Sequence, residues 1–166
     1  ESFTDDEFMQ TLQVLQGYVD SGQIRQVTGN DYIGGLASGD LIAALGWSGD
    51  VLGLGEGFGF DVPESGGVVW ADSMIIPQGA EHKSATERLI NYYYEPDVAA
   101  RVAAYIQYSC PVAGAQEAMA AVDPALGNDP WIFPSAQLLD GCEVTAFLPL
   151  ERAEKLDRAF DAVVSA

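Results

Sequence analysis

Apolar residues recur along this chain in two ways, at the three-to-four-residue spacing of a helix and in short uninterrupted runs. Thr4-Asp5-Asp6-Glu7 opens the first helical stretch. Thr4 can cap a helix, and Glu7 lies three residues on, the spacing of a capping box. Phe8, Leu12, Leu15 and Tyr18 then fall on one face, and Ser21-Gly22 ends the pattern. Residues 23–27 read as a short strand, and 31–37 as a brief helix closed by Ser38-Gly39-Asp40. The run Leu41-Ile42-Ala43-Ala44-Leu45-Gly46-Trp47 is continuously apolar, as a central strand covered on both faces should be.

Gly53-Leu54-Gly55-Glu56-Gly57-Phe58-Gly59 resembles a phosphate loop only superficially. Its third glycine falls one position early for a dinucleotide fingerprint, and no Gly-Lys-Ser/Thr occurs, so it reads as a flexible hairpin connection. Pro63-Glu64-Ser65-Gly66-Gly67 is a turn, residues 68–76 a second apolar strand, and Pro77-Gln78-Gly79-Ala80 its end. Helices follow over 84–94 and 97–107, with Pro96 suited to a first helical position. Shorter helices are expected over 113–121 and 135–139, and a last amphipathic one over 150–164 places Leu156, Phe160 and Val163 on one face. Strands alternating with helices predict an α/β layered domain. Without an internal repeat, low-complexity tract or linker, residues 1–166 read as a single lobe.

At 166 residues and 48% apolar content, the chain is long enough and apolar enough to bury a core. No stretch approaches the roughly 18 to 20 apolar residues of a membrane span, so no direct membrane insertion is expected. The N-terminal Glu1-Ser2-Phe3-Thr4-Asp5-Asp6 carries no targeting signal and no starting Met, which fits a processed product or a fragment. Twenty-five acidic residues against seven basic ones give a net charge of −18. That balance argues against nucleic acid, whose phosphates need clustered Lys and Arg. It suits a cationic ligand, although solubility or a high-salt habitat would explain the bulk charge equally well. Cys110 and Cys142 are the only cysteines. They cannot build a zinc site unaided, and in an exported protein they would form one disulfide or remain buried thiols.

Little in the chain points to catalysis. The one histidine, His82, lies in the polar loop Gly79-Ala80-Glu81-His82-Lys83, and neither G-x-S-x-G, H-E-x-x-H nor an Asp-rich calcium loop occurs. No metal or cofactor is expected. Three places instead combine aromatics with carboxylates near predicted strand ends: Trp47 with Asp50, Trp70 with Asp72, and Tyr108. Strand alternation would put Trp70 and Asp72 on one side, and crevices at strand ends are where open α/β sheets bind ligands. A tryptophan face attracts a protonated amine, and an aspartate can accept its N–H bonds. The same residues would also serve as core tryptophans and turn aspartates.

The order of motifs resembles the spermidine/putrescine-binding proteins. It is carried by Asp31-Tyr32-Ile33, Leu36-Ala37-Ser38-Gly39-Asp40 and Ala43-Ala44-Leu45-Gly46-Trp47-Ser48-Gly49-Asp50-Val51. Val62-Pro63-Glu64-Ser65-Gly66-Gly67, Val69-Trp70-Ala71-Asp72-Ser73-Met74 and Ile76-Pro77 continue it. Leu89-Ile90-Asn91-Tyr92, Pro96-Asp97-Val98-Ala99, Ile106-Gln107-Tyr108 and Pro111 complete the match, which covers residues 23–115. Beyond it, Trp131-Ile132-Phe133-Pro134 is similar to the family's late Tyr-Pro segment.

The resemblance implies one lobe, the C-terminal one, of a type II periplasmic-binding-protein-like fold, with a mixed sheet flanked by helices. It implies no enzyme but a binding protein that hands a polyamine to an ABC transporter permease, in the periplasm or outside the cell and with a lipid anchor as one option. A missing N-terminal lobe would close over the ligand from the other side. By position, Trp47 would stack on the ligand and Asp50 approach an amine. Trp70 would form an aromatic wall, Asp72 the principal ammonium-binding carboxylate, and Tyr108 would complete the cage. The family's loop serine is replaced by Gly29, beside Thr28 and Asn30, so Gly29 and Asn30 are further candidates. Capture of another small organic cation, or a ligand-sensing module uncoupled from transport, are the alternatives.

Overall fold

The computed structural model describes residues 3–145 and 147–165, so Glu1 and Ser2, in the stretch read for a targeting signal, lie outside it. In chain order the elements begin with α1 (Asp5–Asp20), α2 (Tyr32–Ser38), α3 (Ser48–Leu52) and β1 (Gly67–Val69). α4 (Lys83–Tyr93), α5 (Pro96–Ile106), α6 (Ala115–Val122) and α7 (Pro124–Gly127) follow. The chain closes with α8 (Ala136–Asp140), β2 (Cys142–Val144) and α9 (Leu150–Val164). Two compact units result, one drawing on residues 1–32 and 145–166, the other on 33–144.

In the first unit α1 packs on α9. The expected capping box is present: the Glu7 amide donates to Thr4 Oγ1 at 3.2 Å, and the Thr4 amide donates to Glu7 Oε2 at 2.7 Å. The Thr4 amide first, and then the Thr4 hydroxyl, which donates to the same Glu7 Oε2 at 2.8 Å, hold the Glu7 carboxyl below its ordinary pKa. Leu12, Leu156 and Val163 are buried and Phe8, Leu15 and Phe160 half-buried, whereas Tyr18 stays exposed. Full burial of a leucine contributes about 1.5 to 3 kcal/mol, so Leu12 and Leu156 dominate this seam. Asp5 adds a polar tie, accepting from Arg152 Nε at 2.7 Å and Lys155 Nζ at 2.6 Å. The two cations, Lys155 foremost, lower the Asp5 pKa. Arg152 also donates to the Phe3 carbonyl at 2.9 Å, and its guanidinium lies 5.0 Å from the Phe3 ring centre.

The second unit is built around α5 and α6. Ala99, Ala100 and Ala103 line one side of α5 and are all buried. Small side chains at this spacing let neighbouring elements approach closely, and Met119 and the fully buried Ile132 fill the space against Ala100 and Ala103. Ala99 packs with Val112 and Ala115. Tyr93 borders that cluster, and burial pushes its phenol pKa up, with Cys110 and Tyr94 adding to the shift. Pro96 occupies the first turn of α5 as expected, and Gln107 ends the helix in the left-handed region at φ 56°. β1 and β2 pair in parallel, with Gly67, Val68 and Val69 opposite Cys142, Glu143 and Val144. The architecture is therefore mixed α/β, rich in helix, with a small sheet; among the described residues that sheet is a parallel pair rather than a mixed one.

Several sequence expectations need correction. Residues 23–27 and 41–47 are irregular rather than strands, and of 68–76 only the first two residues belong to β1. Strands exist by pairing, because each presents backbone donors and acceptors that a neighbour must satisfy. No described strand lies beside 41–47, and Ile42 and Leu45 are 100% and 103% exposed. The glycine-rich stretch 53–59 is consequently a succession of turns rather than a hairpin connection, with Gly55 and Gly57 at positive φ. The 63–67 turn forms as read, closed by the Gly66 amide on the Pro63 carbonyl at 2.8 Å. α3, α7 and β2 were not foreseen, although Asp123-Pro124 is a recognisable cap and first helical residue.

Of the two readings left open for the cysteines, a disulfide or separate thiols, the structure has Cys110 and Cys142 as free, half-buried thiols. Cys110 packs against the α5/α6 core, and its amide bonds to the Ile132 carbonyl at 2.9 Å. Cys142 sits in β2, its thiol donating to the Leu138 carbonyl at 3.4 Å.

Candidate functional site

Four of the five principal candidates come together within the unit formed by residues 33–144. Trp47 caps the start of α3, and Asp50 lies in that helix's first turn. Trp70 follows β1 directly, so the parallel pair fixes where its backbone leaves the sheet. Tyr108 follows the left-handed Gln107, which turns the chain at the end of α5. The Trp47 and Trp70 ring centres are 4.3 Å apart at 56°, and the Tyr108 ring meets Trp70 edge-on at 6.4 Å and 78°. Tyr108 donates its hydroxyl proton to Asp50 Oδ1 at 2.8 Å, across 58 residues of sequence.

Aromatic pairs in tilted or edge-on geometry contribute about 0.5 to 1.5 kcal/mol beyond their buried area. The cluster is nonetheless open, with Trp47 at 43% and Trp70 at 40% exposure. These tryptophans are therefore not core residues. They present aromatic faces to solvent beside a carboxylate whose position is fixed by a tyrosine. Such a surface can hold an organic cation through the ring quadrupoles and through N–H bonds to oxygen acceptors.

Asp72 is not drawn into the cluster. β1 ends at Val69, so the alternation that would align it with Trp70 is absent, and Asp72 is exposed with no hydrogen bond or ion pair among the described residues. Gly29 and Asn30 lie in the other unit, in an exposed loop where the Thr28 hydroxyl donates to the Gly29 carbonyl at 3.0 Å. Sequence reasoning missed Gly49, which is buried against the Tyr108 ring; its signal was its place between Trp47 and Asp50. It also missed a supporting pair beside the cluster. Phe60 and Trp131 meet edge-on at 4.8 Å and 85°, and Ser109, next to Tyr108, donates its hydroxyl to the Trp131 carbonyl at 2.8 Å.

Glu64 lines a separate groove with Val62, Pro63, Ser135, Gln137 and Leu138. His82 is exposed at the start of α4. Among the described residues, no three or more His, Cys, Asp or Glu side chains are gathered as a metal ion would require. No helix among them is long and apolar enough to cross a membrane.

Comparison with known proteins places this sequence in a family. The spermidine/putrescine-binding periplasmic protein of Escherichia coli (strain K12) is 36% identical over 81 residues, covering 49% of this chain and 22% of that protein. The putrescine-binding periplasmic protein PotF of the same organism is 30% identical over 125 residues, 69% of this chain and 33% of that one. The putrescine-binding periplasmic protein SpuD of Pseudomonas aeruginosa (strain UCBPP-PA14) is 24% identical over 143 residues, 81% of this chain and 38% of that one. The matched regions thus span between 22% and 38% of these relatives' own length. The family model described as bacterial extracellular solute-binding protein matches residues 1–134. By that match, which covers most of the sequence, the chain belongs to the bacterial extracellular solute-binding protein family.

Proposed function

We propose that this chain is the C-terminal lobe of a bilobed, type II periplasmic-binding-type protein that captures a polyamine outside the cytoplasm and delivers it to an ABC permease. The observation that carries the reading is the Trp47/Trp70/Tyr108 cluster, with Asp50 held at its side by the Tyr108 hydroxyl at 2.8 Å. An alkyl amine with a pKa near about 10.4 is charged at neutral pH. One ammonium over a tryptophan face gains about 0.5 to 2 kcal/mol, and a charge-assisted hydrogen bond adds about 1.5 to 3 kcal/mol. Two ammonium groups separated by methylenes suit a row of ring faces with a carboxylate near each end. Asp50 would serve one end, and Asp72, two residues beyond Trp70, the other. The relatives' names, which specify spermidine and putrescine, support this ligand class.

The short share of the relatives' length that the chain covers supports a two-lobed whole. In such a protein the N-terminal lobe closes on the open faces of Trp47 and Trp70, excludes water and strengthens every charge contact. The lobe alone therefore binds weakly, since one-sided contacts leave the amine hydrated. A thermal-shift screen of the two-lobed protein against spermidine, putrescine, glycine betaine and thiamine tests the ligand class. Ligand at one hundred times its Kd stabilises by about 2.7 kcal/mol, so spermidine or putrescine should raise Tm clearly. A shift with betaine or thiamine and none with either polyamine would reject the proposal.

A further inference from the structure

Gly49 sits in α3 between the residues that supply Trp47 and Asp50 to the cluster. Its φ does not lie in the positive region, so its backbone conformation is open to any residue. Within a helix glycine is a poorer choice than alanine. What singles the position out is space. A Cβ added to Gly49 would overlap the Tyr108 ring, coming to 2.8 Å from Cγ and closer still to the ring edge. The obstacle is a ring rather than the tip of a flexible chain, held at its far end by Asp50 and at its edge by Trp70.

We propose that Gly49 is a positioning residue for the amine site: its bare α-carbon seats the Tyr108 ring, and that seat brings the Tyr108 hydroxyl onto Asp50. The inference rests on the polyamine reading for its ligand but not for its geometry. A phenol has one proton to donate, and here Asp50 Oδ1 takes it at 2.8 Å. The seated Tyr108 oxygen therefore meets a ligand as an acceptor, beside a carboxylate that also only accepts. Two acceptors side by side fit an ammonium group, which has only donors. A side chain at position 49 evicts the ring, and with it both the fixed acceptor and the restraint on Asp50.

A double-mutant cycle in the two-lobed protein tests whether Gly49 acts through Tyr108. Gly49→Ala, Tyr108→Ala and the double variant are compared by putrescine titration and by thermal unfolding without ligand. The expected result is that G49A alone weakens putrescine binding at least about tenfold and lowers Tm. In the Y108A background, where no ring is left to evict, the same change should leave affinity within about twofold and Tm unchanged or higher. Should G49A prove too unstable to purify, recovery of folded protein in the double variant is the corresponding supporting result. A G49A protein that binds and melts like the parent overturns the inference, and so does one equally impaired with and without the Tyr108 ring. The unfolding cycle needs no ligand. Failure of the polyamine reading would appear as a parent protein that gives no titration signal while the Tm coupling persists.

Discussion

Replacing Trp70 with leucine perturbs the ring cluster at its middle member, because Trp70 meets Trp47 at 4.3 Å and Tyr108 at 6.4 Å. Both ring pairs are lost while an apolar side chain of moderate size remains. At about 0.5 to 1.5 kcal/mol per pair, the unliganded protein should lose about 1 to 3 kcal/mol. The bound state loses in addition one π-face for an ammonium group, about 0.5 to 2 kcal/mol, which weakens binding by about 2- to 30-fold. Trp70→Phe keeps a ring face and should recover much of the affinity while still costing stability, since the smaller ring reaches its neighbours less well. Urea unfolding of the proposed two-lobed protein gives the first quantity, and calorimetric titration with putrescine the second. Two results would refute the reasoning. One is a leucine variant that binds as tightly as the parent, and the other is equal affinity losses for Phe and Leu, which would leave no role for the π-face.

Ile132, fully buried against Ala100, Ala103 and Met119, should lose about 2 to 5 kcal/mol of stability on truncation to alanine; a urea midpoint within error of the parent would contradict that core assignment. Asp72→Asn in the two-lobed protein should weaken putrescine binding more than Glu64→Gln does, because Glu64 lines a separate groove; equal losses in titration would remove Asp72 from the site. Acid should loosen the α1/α9 unit. Lys155 and Arg152 depress the Asp5 pKa, and Thr4 depresses that of Glu7, in the folded chain. The unfolded chain then binds more protons near its ordinary carboxylate values of about 3.9 and 4.3, so stability is present above that range and drains away as pH falls through the folded values. Unfolding midpoints between pH 6 and pH 3 should show a shallower acid loss in Asp5→Asn than in the parent, and parallel curves would exclude a contribution from Asp5.

The longer helices were legible because their signals are local, whereas the one-turn α3 and α7 were not. Thr4 and Glu7 announced α1, Pro96 announced α5, and the apolar stripe of residues 150–164 matches α9 to the residue. Strands were not legible, because an apolar run states what a segment would bury but not whether a partner is there to receive it. The run at 41–47 has the pattern of a covered central strand, yet Ile42 and Leu45 stand fully exposed. β2 was invisible for the complementary reason: Cys142-Glu143-Val144 has no strong pattern of its own and owes its state to Gly67–Val69. In the site, residue types and motif order picked out Trp47, Asp50, Trp70 and Tyr108, which the fold does bring together. The alignment of Asp72 with Trp70 was not legible, because an apolar run does not say that β1 stops at Val69. Gly49 was hidden because its role is an empty volume, which becomes visible only when the Tyr108 ring is found filling it.

The Trp47/Trp70/Tyr108/Asp50 cluster is proposed as one face of a polyamine site. Isothermal titration of putrescine and spermidine into the two-lobed protein, with the 166-residue chain titrated alongside, addresses it most directly. Saturable binding of at least one polyamine by the proposed two-lobed protein is expected, lost or strongly weakened in Asp50→Ala, with binding at least about tenfold weaker by the chain alone. Absence of binding by the two-lobed protein, or binding indifferent to Asp50, Trp47 and Trp70, would contradict it.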